Sequence, residues 1–468
     1  MKILVMALSA LWFAGSAVAQ KAPLPKDLPP YGPETPLAAP AVKSTKLDNG
    51  LTVWLVSEPG FPKIALTLAI RGGFGADPVD RPGISDLLAK TIDQGTSART
   101  ARQIAQDLQG AGGDLTANPG KDSILVSTSF LSSKLDKGLT VFADVVRNAS
   151  FPEDEVTLAK RNAIDNLKQQ EAQPSFLASR AIAKVLFGDN PYHVTSPTEE
   201  SITASTPADL RKSYAERFRP DQALLVAVGD FDNDRMLLEI RSRFDSWKAP
   251  ATALAPAPAT FSAIPQHAVF VVPRPGSVQT TLQVGMFGPL RSDPDYEAAL
   301  VANAVYGGTF GSRLVSNIRE DKGYTYSPFA ELRTYRAAGV LVTQADVRNE
   351  VTAPTFNEIT YELNRLATTA PTPDELKQAE RYLVGIEAIQ LQSRESMAGE
   401  LARLWVNGLS PEEIGVYGRK VASTSADEVN AAARKYFPAS KAAIVAVGEE
   451  KVIREALTPF GIPVQVLQ

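Results

Sequence analysis

The segment STPADLRKSYAERFRPDQALLVAVGD begins at Ser205, and STSADEVNAAARKYFPASKAAIVAVGEE begins at Ser423. Asp209 and Asp427 stand 218 positions apart, and Gly229 and Gly448 stand 219 apart. Upstream, PEDEVTLAKR at 152–161 is echoed by PDELKQAER at 373–381, so that Glu155 with Glu375 and Arg161 with Arg381 are each offset by 220. A near-constant offset across three segments means one unit of roughly two hundred residues written twice. With 468 residues, the chain has room for both copies, each with its own core.

The remaining organisation follows from that repeat. Residues 1–19 read as a signal peptide: Lys2 is the positive end, Ile3 to Gly15 the apolar run, and Ala17-Val18-Ala19 a small-x-small cleavage site. The apolar run is too short to span a bilayer. Residues 20–43 form a leader whose stretch 21–42 carries seven prolines. The Pro/Ala-rich stretch 248–265 reads as a linker between an N-terminal domain, 44–247, and a C-terminal domain, 266–468. Strand-like runs lie at 51–56, 64–70 and 124–130 in the first half and at 268–272, 280–287 and 339–347 in the second. Long helical patterns cover about 154–187 and 373–407, and a VAVG strand follows in both halves. The expected fold class is α+β: two homologous domains, each a mainly antiparallel sheet covered by helices.

Composition narrows the chemistry. Net charge is −4 and no basic block stands out, which excludes nucleic acid as an expected partner. There is no cysteine, hence no disulfide and no lipid-anchor site at the cleavage point. The two histidines are His193, in a turn-like DNPYH, and His267, beside the apolar run AVFVV. A zinc site of three or four His, Cys or carboxylate ligands is hard to assemble from these. The expected location is periplasmic or secreted.

GISDLLAKTIDQGT, at 83–96, reads as an amphipathic helix with Ile84, Leu87, Leu88 and Ile92 on its core face. Asp86, Ala89 and Lys90 are expected on the outward face, at the i, i+3, i+4 spacing that a helical metal site with a general base would use. The residues there are an acid, a methyl group and an ammonium. GGTFG at 307–311 has no lysine at the place a phosphate loop needs and reads as a helix-breaking turn.

RPGISDLLAKTIDQGTSART, GAGGDLTA at 110–117, the PEDE helix start, RPDQALLVAVGDFD and YGGTFGSRLVSNIREDKGYTYSP at 306–328, in this order and duplicated, resemble the pitrilysin/insulinase family of zinc metallopeptidases in its two-domain, mitochondrial-processing-peptidase-like form. The likeness covers about residues 44–450. It implies a clamshell of two homologous domains around a chamber. Active members carry an inverted His-x-x-Glu-His motif just before a Gly-Thr pair. Counted back from Gly95-Thr96, the histidine places fall on Asp86 and Lys90 and the base on Ala89. The family's third ligand lies 77 positions beyond the second His, at Leu167. On this alignment no zinc ligand and no base remain. The resemblance therefore implies a zinc-free subunit with no cofactor and no catalytic residue of its own.

The resemblance also implies an Arg and a Tyr seven residues apart that reach substrate, which here are Arg319 and Tyr326. Arg offers a fork of donors to a carbonyl or carboxylate, and a Tyr hydroxyl can stabilise an oxyanion. Tyr324, two residues away, competes for the role, and the seven-residue count favours Tyr326. The expected function is that of a noncatalytic subunit of an exported heterodimeric peptidase, paired with a homologous zinc-carrying chain and acting on peptides. The alternative is a stand-alone peptide-binding or structural pseudo-peptidase.

Overall fold

The VAVG strands occupy the same place in two six-stranded sheets. A computed structural model describes residues 38–252 and 267–467. The signal segment 1–19, most of the leader at 20–43 and most of the linker at 248–265 lie outside the described residues. The first sheet runs β1-β2-β6-β3-β5-β4, with β1 Lys43–Lys46, β2 Thr52–Ser57, β3 Lys63–Arg71, β4 Leu115–Pro119, β5 Ser123–Leu131 and β6 Ala223–Gly229. The second runs β12-β7-β11-β8-β10-β9, with β7 Val269–Pro273, β8 Gln279–Gly288, β9 Phe329–Thr334, β10 Gly339–Arg348, β11 Ala443–Gly448 and β12 Val464–Val466. The two VAVG strands, β6 and β11, are each parallel to one neighbour and antiparallel to the other. Most pairings are antiparallel, and the class is α+β.

Both faces of each sheet are apolar, which a half-exposed sheet would not need. On β3, Ile64, Leu66, Leu68 and Ile70 enter the core of the first half. On β6, Leu225 and Ala227 do the same, whereas Leu224, Val226 and Val228 point the other way. The second half repeats this: Ile444 and Ala446 of β11 face its core, and Ala443, Val445 and Val447 face away.

The long helical patterns resolve this. Each is two helices rather than one: Glu153–Glu171 then Pro174–Phe187, and Pro373–Gln390 then Arg394–Val406. Gln173, before Pro174, is extended, as a residue preceding proline is biased to be. In the second copy Ser393 is the N-cap and accepts from the Ser396 N–H at 3.0 Å.

The second helix of each pair crosses to the other half. Pro174–Phe187 lies on β8 and β11, where Ile182 and Leu186 pack with Val340, Val342 and Val445. Arg394–Val406 lies on β3 and β6, where Ala398, Leu401 and Ala402 pack with Trp54, Ala69 and Val226.

The fit is close. A Cβ on Gly285 would come within 2.7 Å of Ile182 Cγ1, so only glycine serves beneath that helix. Polar ties fix the helix ends: Lys63 pairs with Glu395 at 2.5 Å, Arg394 donates to the Glu58 carbonyl at 2.8 Å, and the Arg71 guanidinium stacks 4.2 Å from the Trp405 ring.

Each sheet is therefore finished by a helix from the other copy. Leu401→Ala and Leu186→Ala, both at buried positions of the exchanged helices, are each expected to cost about 2–5 kcal/mol. Calorimetry of either variant should still show one transition at lower temperature. Two separated transitions would mean that the halves unfold independently.

Candidate functional site

The helix Ile84–Thr91 is held by a buried ion pair at its start. Gly83 precedes it at φ +82°, and a Cβ there would lie 2.3 Å from Pro197 Cα. Asp77 accepts from the Gly83 N–H at 2.9 Å and from the Ser85 hydroxyl at 2.5 Å. Arg217 reaches Asp77 at 2.9 Å and also donates to Ser85 Oγ and to the Ala76 carbonyl. The Asp77 and Arg217 side chains are 1% and 3% exposed. Burial pushes the Asp77 carboxyl above its ordinary range, opposed by the charge of Arg217 and the hydrogen bonds of Ser85.

The face of this helix differs from the expectation in one respect. Asp86 and Lys90 do lie toward solvent and form an i, i+4 pair at 2.7 Å, but Ala89 is only 4% exposed and belongs to the core. With no polar group to keep wet, a methyl at this position packs inward. Leu167 lies on Glu153–Glu171, a helix packed against this one, and is buried with Ala163 and Ile202.

Zinc needs imidazole or carboxylate ligands within about 2 Å and a base near its water. An ion-paired lysine, a core alanine and a core leucine do not meet that need. Among the described residues no group of three or more His, Cys, Asp or Glu is placed to hold a metal ion. His193 and His267 are in different halves, each with Nδ1 2.9 Å from a backbone carbonyl oxygen.

The second half presents a different arrangement. After the short helix Arg313–Val315, residues Ser316–Asp321 continue as a wider π-helical turn that carries Arg319. Gly323, at φ +61°, ends it, with the Tyr324 N–H bonded to the Ile318 carbonyl at 2.9 Å. Asn317 anchors the underside by donating to Glu358 at 3.0 Å and Glu362 at 2.7 Å, both on the helix Thr352–Thr368.

Arg319 is thereby turned outward. Its guanidinium carbon lies 4.3 Å from the Phe310 ring and 4.7 Å from the Tyr326 ring. Tyr326 is 79% exposed, whereas Tyr324 is half-buried against the second core. Of the two tyrosines, Tyr326 is the exposed one. Arg319 and Tyr326 share an open cleft of about 640 Å³ with Gln279, Asp346 and Arg348.

Sequence reasoning passed over Phe310, which stands in the GGTFG turn between Gly308 and Gly311. It also passed over Arg313, which fixes that turn. The Arg313 fork bonds Glu375 at 2.7 and 3.0 Å and holds that carboxyl down to about 2. Glu375 opens the helix Pro373–Gln390, so the turn and this helix are locked together.

Comparison with known proteins identifies the family. The model of the insulinase peptidases, family M16, matches residues 52–195, and that of the M16 inactive domain matches 204–383. The chain belongs to peptidase family M16. A Mycobacterium tuberculosis protein described as an uncharacterized zinc protease is 26% identical over 411 residues, covering 87% of this chain and 93% of its own length. A Bacillus subtilis protein of the same description is 24% identical, covering 76% and 86%.

The crystal structure of a peptidase M16 inactive domain from Pseudomonas fluorescens superposes with a TM-score of 0.80 at 26% identity, covering 87% of this M16 chain and 98% of that one. A Helicobacter pylori protease shares the fold, with a TM-score of 0.81 at 18% identity, covering 88% and 100%. The chain is a peptidase-like M16 protein whose helix Ile84–Thr91 does not carry the inverted zinc motif.

The buried Asp77–Arg217 pair fixes the start of this helix. Arg217→Met should therefore destabilise the protein by about 3–5 kcal/mol, because it strands a buried carboxylate. Denaturant unfolding measures this. A loss below 1 kcal/mol would show that the pair does not hold the helix.

Proposed function

We propose that this M16 chain is the zinc-free, noncatalytic subunit of an exported heterodimeric peptidase, in which it lends Arg319 and Tyr326 to the active site of a homologous zinc-carrying partner. The carrying observation is the contrast between the two halves. The first has the site helix without ligands or base. The second keeps a guanidinium and a phenol, stacked and held open over a cleft. In this reading residues 1–19 are removed, the mature chain resides in the periplasm or outside the cell, and 44–247 and 266–468 are the two peptidase-like domains. No helix among the described residues is long and apolar enough to cross a membrane.

The chemistry asked of the pair is modest. The Arg319 guanidinium stacks with the Phe310 and Tyr326 rings and its Nε lies 3.3 Å from Glu320 Oε1, so its remaining N–H groups are the ones that would meet a peptide carbonyl. The Tyr326 hydroxyl makes no hydrogen bond among the described residues, so it can donate to the oxyanion that develops as a peptide bond is attacked. Neither group supplies a nucleophile. That chemistry falls to the partner.

The test is co-expression with a homologous chain that keeps His-x-x-Glu-His, followed by turnover per mole of assembled heterodimer on an unstructured peptide. Arg319→Ala and Tyr326→Phe are each expected to lower turnover by about a hundredfold, with unchanged assembly and melting temperature. Unchanged turnover in both variants would favour a stand-alone peptide-binding pseudo-peptidase instead.

A further inference from the structure

Phe310, Tyr326, Tyr382, Ile386 and Ile389 are exposed by 67%, 79%, 44%, 37% and 63%. They are not scattered. Phe310 and Tyr326 flank Arg319. The residue after Phe310, Gly311, lies so close to the helix Pro373–Gln390 that a Cβ on it would come 2.5 Å from Gln378 Nε2. From Gln378, the helix positions 382, 386 and 389 follow at i+4, i+8 and i+11, along one face. The result is a stripe that starts at the cleft and continues along the helix for about 17 Å, at 1.5 Å per residue.

The duplication shows that the fold does not require this stripe. Glu155 with Glu375 and Arg161 with Arg381 set the register between the helices Glu153–Glu171 and Pro373–Gln390. In that register Tyr382, Ile386 and Ile389 correspond to Asn162, Asn166 and Gln169, all exposed and polar. At these three positions the helix is polar in one copy and apolar in the other, whereas Leu158, the counterpart of Gln378, is itself 49% exposed. Apolar residues that a fold does not need and does not bury mark a surface that something covers.

The dimensions favour one occupant. At about 200 Å² for a fully exposed side chain of this size, the five residues present roughly 600 Å². A stable protein interface takes about 800 Å² from each partner over a broad patch, and this patch is narrow. About 17 Å matches some five residues of an extended chain at 3.3 Å each. We propose that these five residues form one extended subsite, continuous with the Arg319 cleft, that receives the aliphatic and aromatic side chains of an extended peptide. The proposal deepens the subunit reading above by naming the substrate class: unfolded segments with apolar side chains at alternating positions.

The test uses the full chain alone, with a fluorescein-labelled peptide of alternating Leu and Ser and a peptide of equal length alternating Asn and Ser. The first should bind and the second should not. Ile386→Asn with Ile389→Gln, which installs the first-half residues, should weaken binding of the Leu/Ser peptide by tenfold or more, with an unchanged melting temperature. Leu238→Asn, an exposed apolar position on another helix, should leave binding unaltered.

Equal binding of both peptides, no binding of either, or unchanged affinity in the Ile386/Ile389 variant would overturn the proposal. Conversion of a dimer to a monomer by that variant in sedimentation would also overturn it, in favour of a second protein chain as occupant. Because this assay involves no metal and no turnover, its failure is distinct from failure of the subunit reading, which is read from Arg319-dependent turnover in the assembled complex.

Discussion

Two exchanged helices hold the molecule together. A six-stranded sheet with apolar residues on both faces is unstable in water until both faces are covered, and each half supplies helices for only one of its own. The uncovered face of the first sheet, with Trp54, Ala69 and Val226, is closed by Arg394–Val406, and the corresponding face of the second is closed by Pro174–Phe187. Burying a single Leu such as Leu401 is worth about 1.5–3 kcal/mol. The junction also contains Leu186, Leu404 and Val406, so the two copies are one thermodynamic object. This explains why duplication of a two-hundred-residue unit gave a protein rather than two beads on a string.

That scaffold also holds the helix Ile84–Thr91 by internal contacts. Asp77 caps the start, Arg217 neutralises Asp77, and Ala89 and Leu88 sit in the core. The position of the helix therefore does not depend on the surface ion pair of Asp86 and Lys90. In the second half the polar network of Asn317, Glu358 and Glu362, with the Arg313–Glu375 fork beside it, works in the opposite direction. It holds the turn from below, so that Phe310 and Tyr326 are exposed with the partly buried Arg319 stacked against both.

Much of this was legible in the residues, and the exceptions have physical reasons. The offset between Asp209 and Asp427 revealed the duplication, and the central strands were evident because continuous apolar runs such as ALLVAVG signal a strand buried on both faces. The edge strands were not. KSTK of β1 and LTANP of β4 have no apolar run and owe their pairing to the neighbouring strand. The breaks at Gln173 and Ser393 were hidden inside helical periodicity that continues across them. Helix exchange is a tertiary fact with no local signature. Ala89 was assigned outward because helical spacing alone cannot tell a polar face from a small residue at its border. Arg319 and Tyr326 were expected from the family resemblance, whereas Phe310, which stacks on Arg319, belongs to a glycine-rich turn whose side-chain direction depends on the π-helical segments around it.

The central claim is that this chain brings shape and two polar side chains, while the metal belongs to another chain. Zinc stoichiometry, measured by elemental analysis on the lone chain and on the complex with a homologous His-x-x-Glu-His chain, tests it most directly. The account predicts no stoichiometric zinc in the lone chain and one zinc per assembled heterodimer, with peptide cleavage present only in the latter. One tightly bound zinc per lone chain, together with chelator-sensitive cleavage by that chain, would contradict it.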